Sequence, residues 1–498
     1  MGYYFIAIGG SGAKVMESLT HLSAAGMLPN KVRQSKLHVL AVDPDIGNGN
    51  LKRSSAALNN LATFQGVELG ADTPLFKTEV ELLRPFPWSP TEHDKRLDDI
   101  LAYQIHKDQP LGDLYETLYT RAERNTFLNE GFRGRPSIGA AVLAQKAALF
   151  SNKGWEDRAE APWNKFARLV KRDAGSGEVA KIFLAGSVFG GTGAAGMPTV
   201  ARLLRQEFQD FCAEGKVVIG GALILPYFSF TPQKTDDGQI FASSENFLTN
   251  TKAALKYYAQ EYKKARVYDA MYFIGDNVLS PVQKFSVGAA SQQNDAHIVD
   301  FYGAMAALDF FATKAEHYKP CAFITHKDEN VFHWTDFPDI AGDDGKDIHF
   351  KERFAQFVRF VFAYVHLVKP VLQDLASGKE KAYKYPWYYD YLQDVDVDTA
   401  EVKNFEEYAE SFVRWLDQLE TSETNRSVEF VQQNAFSASP ARVTSALYAQ
   451  CIYGEESDVT MHEVFARLAE HPAKDADGAT GFGRFLRALY DCCAYRKN

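Results

Sequence analysis

The sequence predicts an α/β protein: a Rossmann-like parallel sheet with helices on both faces. Three observations lead there. Short apolar runs alternate with helical patterns through the first half of the chain. Those runs are continuously apolar, as strands buried on both faces are, and do not alternate with polar residues. Glycine-rich turns follow two of the runs and open helices, which is the connection that parallel strands require.

Taken in order, residues 3–8 (YYFIAI) read as the first strand, followed by Gly9-Gly10-Ser11-Gly12 and a helix from about Ala13. Residues 37–42 form a second run ending in Asp43-Pro44-Asp45. Residues 181–185 are a third, leading through a glycine-rich stretch to a helix that ends near Phe208. Residues 217–225 are a fourth, stopped by Pro226. The charged, helical stretch from 73 to about 130, broken at Pro85 and Pro87, reads as an insertion over the sheet. Residues 241–264 give a long helix without Pro or Gly, 270–274 a short strand, and 296–311 a strongly apolar helix. The expected division is a sheet domain over 1–265 and a C-terminal domain over 266–498, helix-rich or α+β.

Composition narrows the function. Hydrophobic residues make up 46% of the 498 positions and charged residues 24%, which are ordinary globular values. A net charge of −10 without a long Lys/Arg run argues against a nucleic-acid partner. Cys212, Cys321, Cys451, Cys492 and Cys493 include no CxxC pair, so neither a structural metal nor a disulfide framework is expected. The opening residues run straight into an apolar strand and no transmembrane run stands out, so the expected location is cytoplasmic.

The strongest motif is Gly190-Gly191-Thr192-Gly193-Ala194-Ala195-Gly196, between a strand and a helix. Closely spaced glycines let backbone N–H groups converge on an anion, and the helix that follows adds its positive dipole end. Thr192 adds a hydroxyl donor. Gly9-Gly10-Ser11-Gly12 is a second such turn. It is not the GxxxxGK[ST] phosphate loop, and it fits the dinucleotide GxGxxG poorly, since Asp43 follows much later than the roughly 20 positions expected there. Two glycine turns at two strand ends point to a mononucleotide cradle.

At these residues the chain resembles the tubulin/FtsZ superfamily. Residues 185–201 (AGSVFGGTGAAGMPTVA) are similar to its signature loop GGGTG[ST]G, with Phe189 in place of the first glycine. IGGSGAK (8–14), AVDPD (41–45), GFRGRPSIG (131–139) and LPYFSF (225–230) follow in the family's own loop order, and FASSENFL (241–248) is similar to the start of its long central helix. The resemblance covers roughly residues 1–312 and is nearest to divergent bacterial tubulin-like proteins.

The resemblance implies GTP or GDP with Mg²⁺, held by Gly9, Gly10, Ser11, Gly12, Asp43, Arg135, Gly190, Gly191, Thr192 and Gly193. Phe241 would stack on the base and Asn246 read its edge; an amide suits guanine without excluding adenine. Asp43 or Asp45 would reach Mg²⁺ through water. Arg133 and Arg135 would face phosphate. Hydrolysis would be completed between subunits of a head-to-tail homopolymer, with Asn294, Asp295 and Asp300 as the nearest string to the family's NxDxxD/E, at a different spacing. A nucleotide-gated adaptor is the alternative, binding a partner protein through Trp334, Trp387, Trp415, Tyr385, Tyr388 and Tyr389. An oxidoreductase with NAD at the first glycine turn is a third reading.

Overall fold

Seven strands form one parallel sheet: β1 (Gly2–Ile8), β2 (Lys36–Val42), β3 (Glu79–Leu82), β4 (Ala180–Ser187), β5 (Val217–Ile224), β6 (Ala270–Ile274) and β7 (Ala322–Phe323). The computed structural model describes residues 2–29, 36–64, 67–70, 73–92, 94–153, 161–230, 244–276, 279–282, 294–314, 322–323, 331–332, 337–341, 347–421, 427–428, 461–470 and 481–494. The strand order is β3-β2-β1-β4-β5-β6-β7. The chain winds outward from β1 to β3, then returns to start a second half at β4, so the direction of winding reverses between β1 and β4. Ile8 is in register with both Val42 and Gly186, so the turns after β1, β2 and β4 leave the sheet at one edge.

The residues explain the sheet. Every residue of β1 is buried. Tyr3, Phe5 and Ala7 enter one core, and Tyr4, Ile6 and Ile8 enter the other, following the two-residue period of a strand. Helices cover both faces. In chain order they are α1 (Gly9–Ala24), α2 (Gly49–Phe64), α3 (Pro136–Lys153), α4 (Ala161–Gly175), α5 (Gly191–Glu207), α6 (Phe247–Lys264), α7 (Ile298–Ala312), α8 (Phe350–Ala363), α9 (Ala400–Thr421), α10 (Met461–Glu470) and α11 (Gly481–Cys492). Helices α1, α2 and α7 share the core of one face with α8, α9 and α11, whereas α4, α5 and α6 pack on the other.

Four expectations change. The supposed insertion contributes β3, parallel to β2; its EVEL sequence is a half-buried edge strand, which has too few apolar residues to stand out. The remainder carries a small core of its own around Leu97, Tyr119, Leu128 and Phe132. The long helix starts at Phe247, after a short 3₁₀ turn, and lies on the α4–α5 face. The helix between the sheet and the C-terminal layer is α7 instead, with every residue buried except Asp309 and Ala312. Finally, Trp387 and Trp415 are core residues, and Tyr385 and Tyr388 pack partly buried against that core, so of these four none forms an open partner surface. Tyr389 is exposed, and Trp334 lies outside the described residues.

The core is continuous across residue 265. His21 of α1 meets the rings of Tyr408 and Trp415, Phe64 of α2 meets Phe405, and Phe301 of α7 meets Phe350, Phe354 and Trp415. Among the described residues, one helical run, Phe350–Ala376, is long and apolar enough to cross a membrane, and 72% of its apolar window is buried inside the fold.

Candidate nucleotide site at the sheet switch point

Between the ends of β1 and β4 lies a cleft, where ligands of doubly wound sheets are bound. Helix α1 starts at Gly9 directly after β1, and α5 starts at Gly191 after the single capping residue Gly190. Neither N-terminus has a side-chain cap. The first backbone N–H groups of each helix are therefore left for another acceptor, and each helix brings a partial positive charge to the same place. The two turns touch: a methyl placed on Gly9 would come within 3.2 Å of Thr192 Cβ. Gly9 also has φ +71°, a left-handed conformation that side chains disfavour.

The glycines divide by what they face. A Cβ on Gly10 would meet only the Asn48 and Asn50 amides, at 3.8 and 3.9 Å, so this position opens onto the cleft. A Cβ on Gly12 would lie 2.4 Å from the Ala185 carbonyl oxygen, and one on Gly193 2.4 Å from that of Ser187. One on Gly191 would strike Phe132 Cβ at 2.8 Å. Gly12, Gly191 and Gly193 thus let backbones pack closely; Gly12 itself does not line the cleft.

Two walls rise from this floor of glycines. On the β2 side, Asp43 and Asp45 are both buried. Asp45 N–H donates to Asp43 Oδ1 (3.0 Å) and Gly47 N–H to Asp45 Oδ1 (3.1 Å), which ties the Asp-Pro-Asp turn into shape. Burial, with the neighbouring Asp45 charge adding to it, pushes the Asp43 carboxyl up to about 8, against the pull of its backbone hydrogen bond. A cation binding here would displace a proton. Asn48 Oδ1 accepts from Asn50 N–H (2.9 Å) and Leu51 N–H (3.2 Å), capping α2. On the β5 side, Tyr227, Phe228, Phe230 and Phe247 line the cleft, with Phe189 packed on Phe247 at 4.6 Å between ring centroids.

Behind the β5 wall lies a buried ionic cluster. Lys14 Nζ is 2.9 Å from Asp300 Oδ2 and donates to the Tyr227 hydroxyl at 3.0 Å. Tyr227 donates to Asp300 Oδ1 at 2.9 Å, and His297 N–H donates to Asp300 Oδ2 at 3.1 Å. Burial and the Lys14 charge lower His297 to about 3, so its imidazole is neutral. His297 Nδ1 accepts from Val299 N–H, which leaves Nε2 as the donor to Ser280 Oγ (2.9 Å). In that tautomer the imidazole cannot take the Ser280 proton, so the pair is not a nucleophile and base.

Compared with protein-family models and with curated protein sequences, the chain matches none.

Set against the expected site residues, the cleft gathers Gly9, Gly10, Ser11, Asp43, Gly190, Gly191, Thr192 and Gly193. Arg135 and Asn246 fall elsewhere, in a neighbouring cavity between α3, α5 and α6. Arg133, at φ +48°, lines the cleft in place of Arg135. Phe241 lies outside the described residues, and Phe247 is the aromatic of the long helix that lines the cleft. The acidic string also moves. Asn294 lines this same cleft, its N–H donating to Asn50 Oδ1 (2.7 Å), and Asp300 is fully buried under Lys14 and Tyr227. A residue that completes a neighbour's site in a head-to-tail assembly must sit on a different surface from its own cleft. Asn294 and Asp300 do not; Asp295 is exposed and does not line the cleft.

Sequence reading missed Lys14, Asn48, Asn50 and Tyr227. Lys14 is the lone lysine of the first helix and closes the IGGSGAK string, and Tyr227 lies within LPYFSF, so both sat in stretches already marked without being singled out. Among the described residues no group of three His, Cys, Asp or Glu is placed to hold a metal ion. Asp43 and Asp45 fit a divalent ion only as two carboxylates, with ligand phosphates and water supplying the rest.

Proposed function

We propose that this chain is a GTP-binding protein of the tubulin/FtsZ type, cytoplasmic, taking GTP with Mg²⁺ in the cleft between β1 and β4. One observation carries the reading: two uncapped helix N-termini, far apart in sequence, meet at the switch point of the sheet. A dinucleotide needs one such turn for its pyrophosphate; two turns in contact fit a chain of phosphates. The sequence resemblance supplies guanine and head-to-tail assembly. In this reading Gly10 and Gly190 approach the phosphates, Asp43 and Asp45 face the metal, and the aromatic wall takes the base.

The placement of Asn294 and Asp300 favours the second reading over subunit-completed hydrolysis: a slow or non-hydrolysing switch whose bound state is read by a partner protein. The two separate in one set of measurements. Nucleotide released from the purified protein by heat is identified by ion-exchange chromatography, followed by sedimentation and phosphate release with GTP and Mg²⁺. Guanine nucleotide with polymer and a per-subunit rate that rises with concentration supports the filament. Guanine nucleotide without polymer supports the switch. Bound NAD, or no affinity for any nucleotide, sinks the proposal.

A further inference from the structure

The two walls of the cleft are chemically unlike, and that fixes how a nucleotide lies in it. The phosphates belong to the helix N-termini in the middle and their counter-ion to the acidic β2 wall. The base belongs to the aromatic β5 wall, where a π-face can stack. What meets the edge of that base is Lys14, which lines the cleft although only 4% exposed.

An ammonium has three N–H donors and no acceptor. Two are directed to Asp300 Oδ2 and the Tyr227 hydroxyl. Lys14 lines the cleft, which leaves its third N–H for an acceptor on the cleft side. Asp300 is the carboxylate that would otherwise accept from a guanine N1–H or 2-amino group. It is fully buried, with Oδ1 occupied by Tyr227 and Oδ2 by Lys14 and His297 N–H. The floor of the base pocket therefore donates and does not accept.

Resting on the nucleotide reading above, we infer that Lys14 is a specificity-determining residue that reads the ring keto oxygen of a 6-ketopurine nucleotide. A keto oxygen accepts from the ammonium. A 6-amino group would set donor against donor and leave both desolvated and unpaired. The 2-amino group of guanine gains nothing, because its natural acceptor is spent. The cleft then accepts guanine and hypoxanthine alike and rejects adenine.

The test is calorimetric titration of the full chain with GTP, ITP and ATP, each with Mg²⁺. GTP and ITP are expected to bind within about threefold of each other, and ATP roughly 30-fold or more weakly. Lys14→Met combined with Asp300→Asn removes the ion pair together, so that no charge is left buried alone. It is expected to bring the GTP-to-ATP preference within about threefold. Tyr227→Phe keeps the ion pair but releases the ammonium from one anchor, and is expected to lower the preference by a smaller factor. ITP binding tenfold or more weakly than GTP overturns the inference, as does an equal loss of GTP and ATP in the double variant, which would make Lys14 a phosphate ligand. If the double variant does not fold, an unchanged preference in Tyr227→Phe overturns it. Failure of every triphosphate to bind the unaltered protein is a different result, and removes the nucleotide reading itself.

Discussion

The two glycine turns look alike in sequence and do different work. The turn after β1 presents one glycine, Gly10, to open space, while Gly12 is pressed against the Ala185 carbonyl. In the turn after β4, Gly191 and Gly193 are both wedged against neighbouring chain, at Phe132 and Ser187. A glycine-rich motif is thus a mixture of positions kept small for a ligand and positions kept small for packing. The two kinds are expected to fail in opposite ways.

The largest effect belongs to the packing glycines. Gly12→Ala drives a methyl into the Ala185 carbonyl, and is expected to destabilise the fold by about 3 kcal/mol or more. A fall in the urea midpoint reads it. If Gly12→Ala folds as well as the unaltered chain, the division drawn between the two turns collapses.

Next comes Gly10→Ala, which adds a methyl where the ligand would lie. Nucleotide affinity is expected to fall by roughly 30-fold or more by calorimetry. Stability should hold or rise by about 0.5–1 kcal/mol, because alanine suits a helix better than glycine. Loss of stability with affinity intact would reverse the assignment.

A third measurement sharpens the contrast between the walls. Asp43 is raised to about 8 in the folded protein from an ordinary carboxylate value near 3.8. Between those values the folded chain holds a proton that the unfolded chain has released, so stability falls as pH rises through that window. Asp43→Asn removes this dependence. The variant is expected to gain on the unaltered protein, on the order of a few kcal/mol between pH 4 and 8.5 without nucleotide or Mg²⁺, as read by urea unfolding at each pH. An equal pH profile for both would place Asp43 in water.

The smallest effect is expected at Arg135 and Asn246. Both line the neighbouring cavity and not the cleft. Arg135→Ala and Asn246→Ala should each change GTP affinity by less than about threefold; an exposed ion pair of the Arg135 kind contributes little. A tenfold loss at either would restore the roles that the sequence motif assigned them.

How much of this was legible in the sequence follows from burial. Strands β1, β2, β4, β5 and β6 are mostly apolar because both faces are covered, and each stood out at nearly its observed bounds. Strand β3 is an edge with Glu79 exposed, and its pattern was lost in a charged stretch. The glycine turns announced themselves through residue type. That Lys14, Tyr227 and Asp300 form one cluster was not legible, because positions 14, 227 and 300 meet only once α1, the turn after β5 and the start of α7 are stacked. Asp300 was grouped by sequence with Asn294 and Asp295, and the structure gives it Lys14 as its partner. The C-terminal aromatics left a surface and a core both open, since composition alone cannot separate a core ring from an interface ring.

Helix α7 has no polar stripe. Thirteen of its 15 residues are buried, and its ends are held differently: Asp300 near the start grips Lys14, and at the finish the Lys181 ammonium reaches the carbonyls of Phe311 and Thr313. A helix of that kind has no stable arrangement in water. A gene fragment stopped after residue 314 would display the Phe301 side of the rod, and such a truncation is expected to cluster in solution instead of persisting as a free-standing half. The C-terminal layer covers that rod, and the two halves share one core across it.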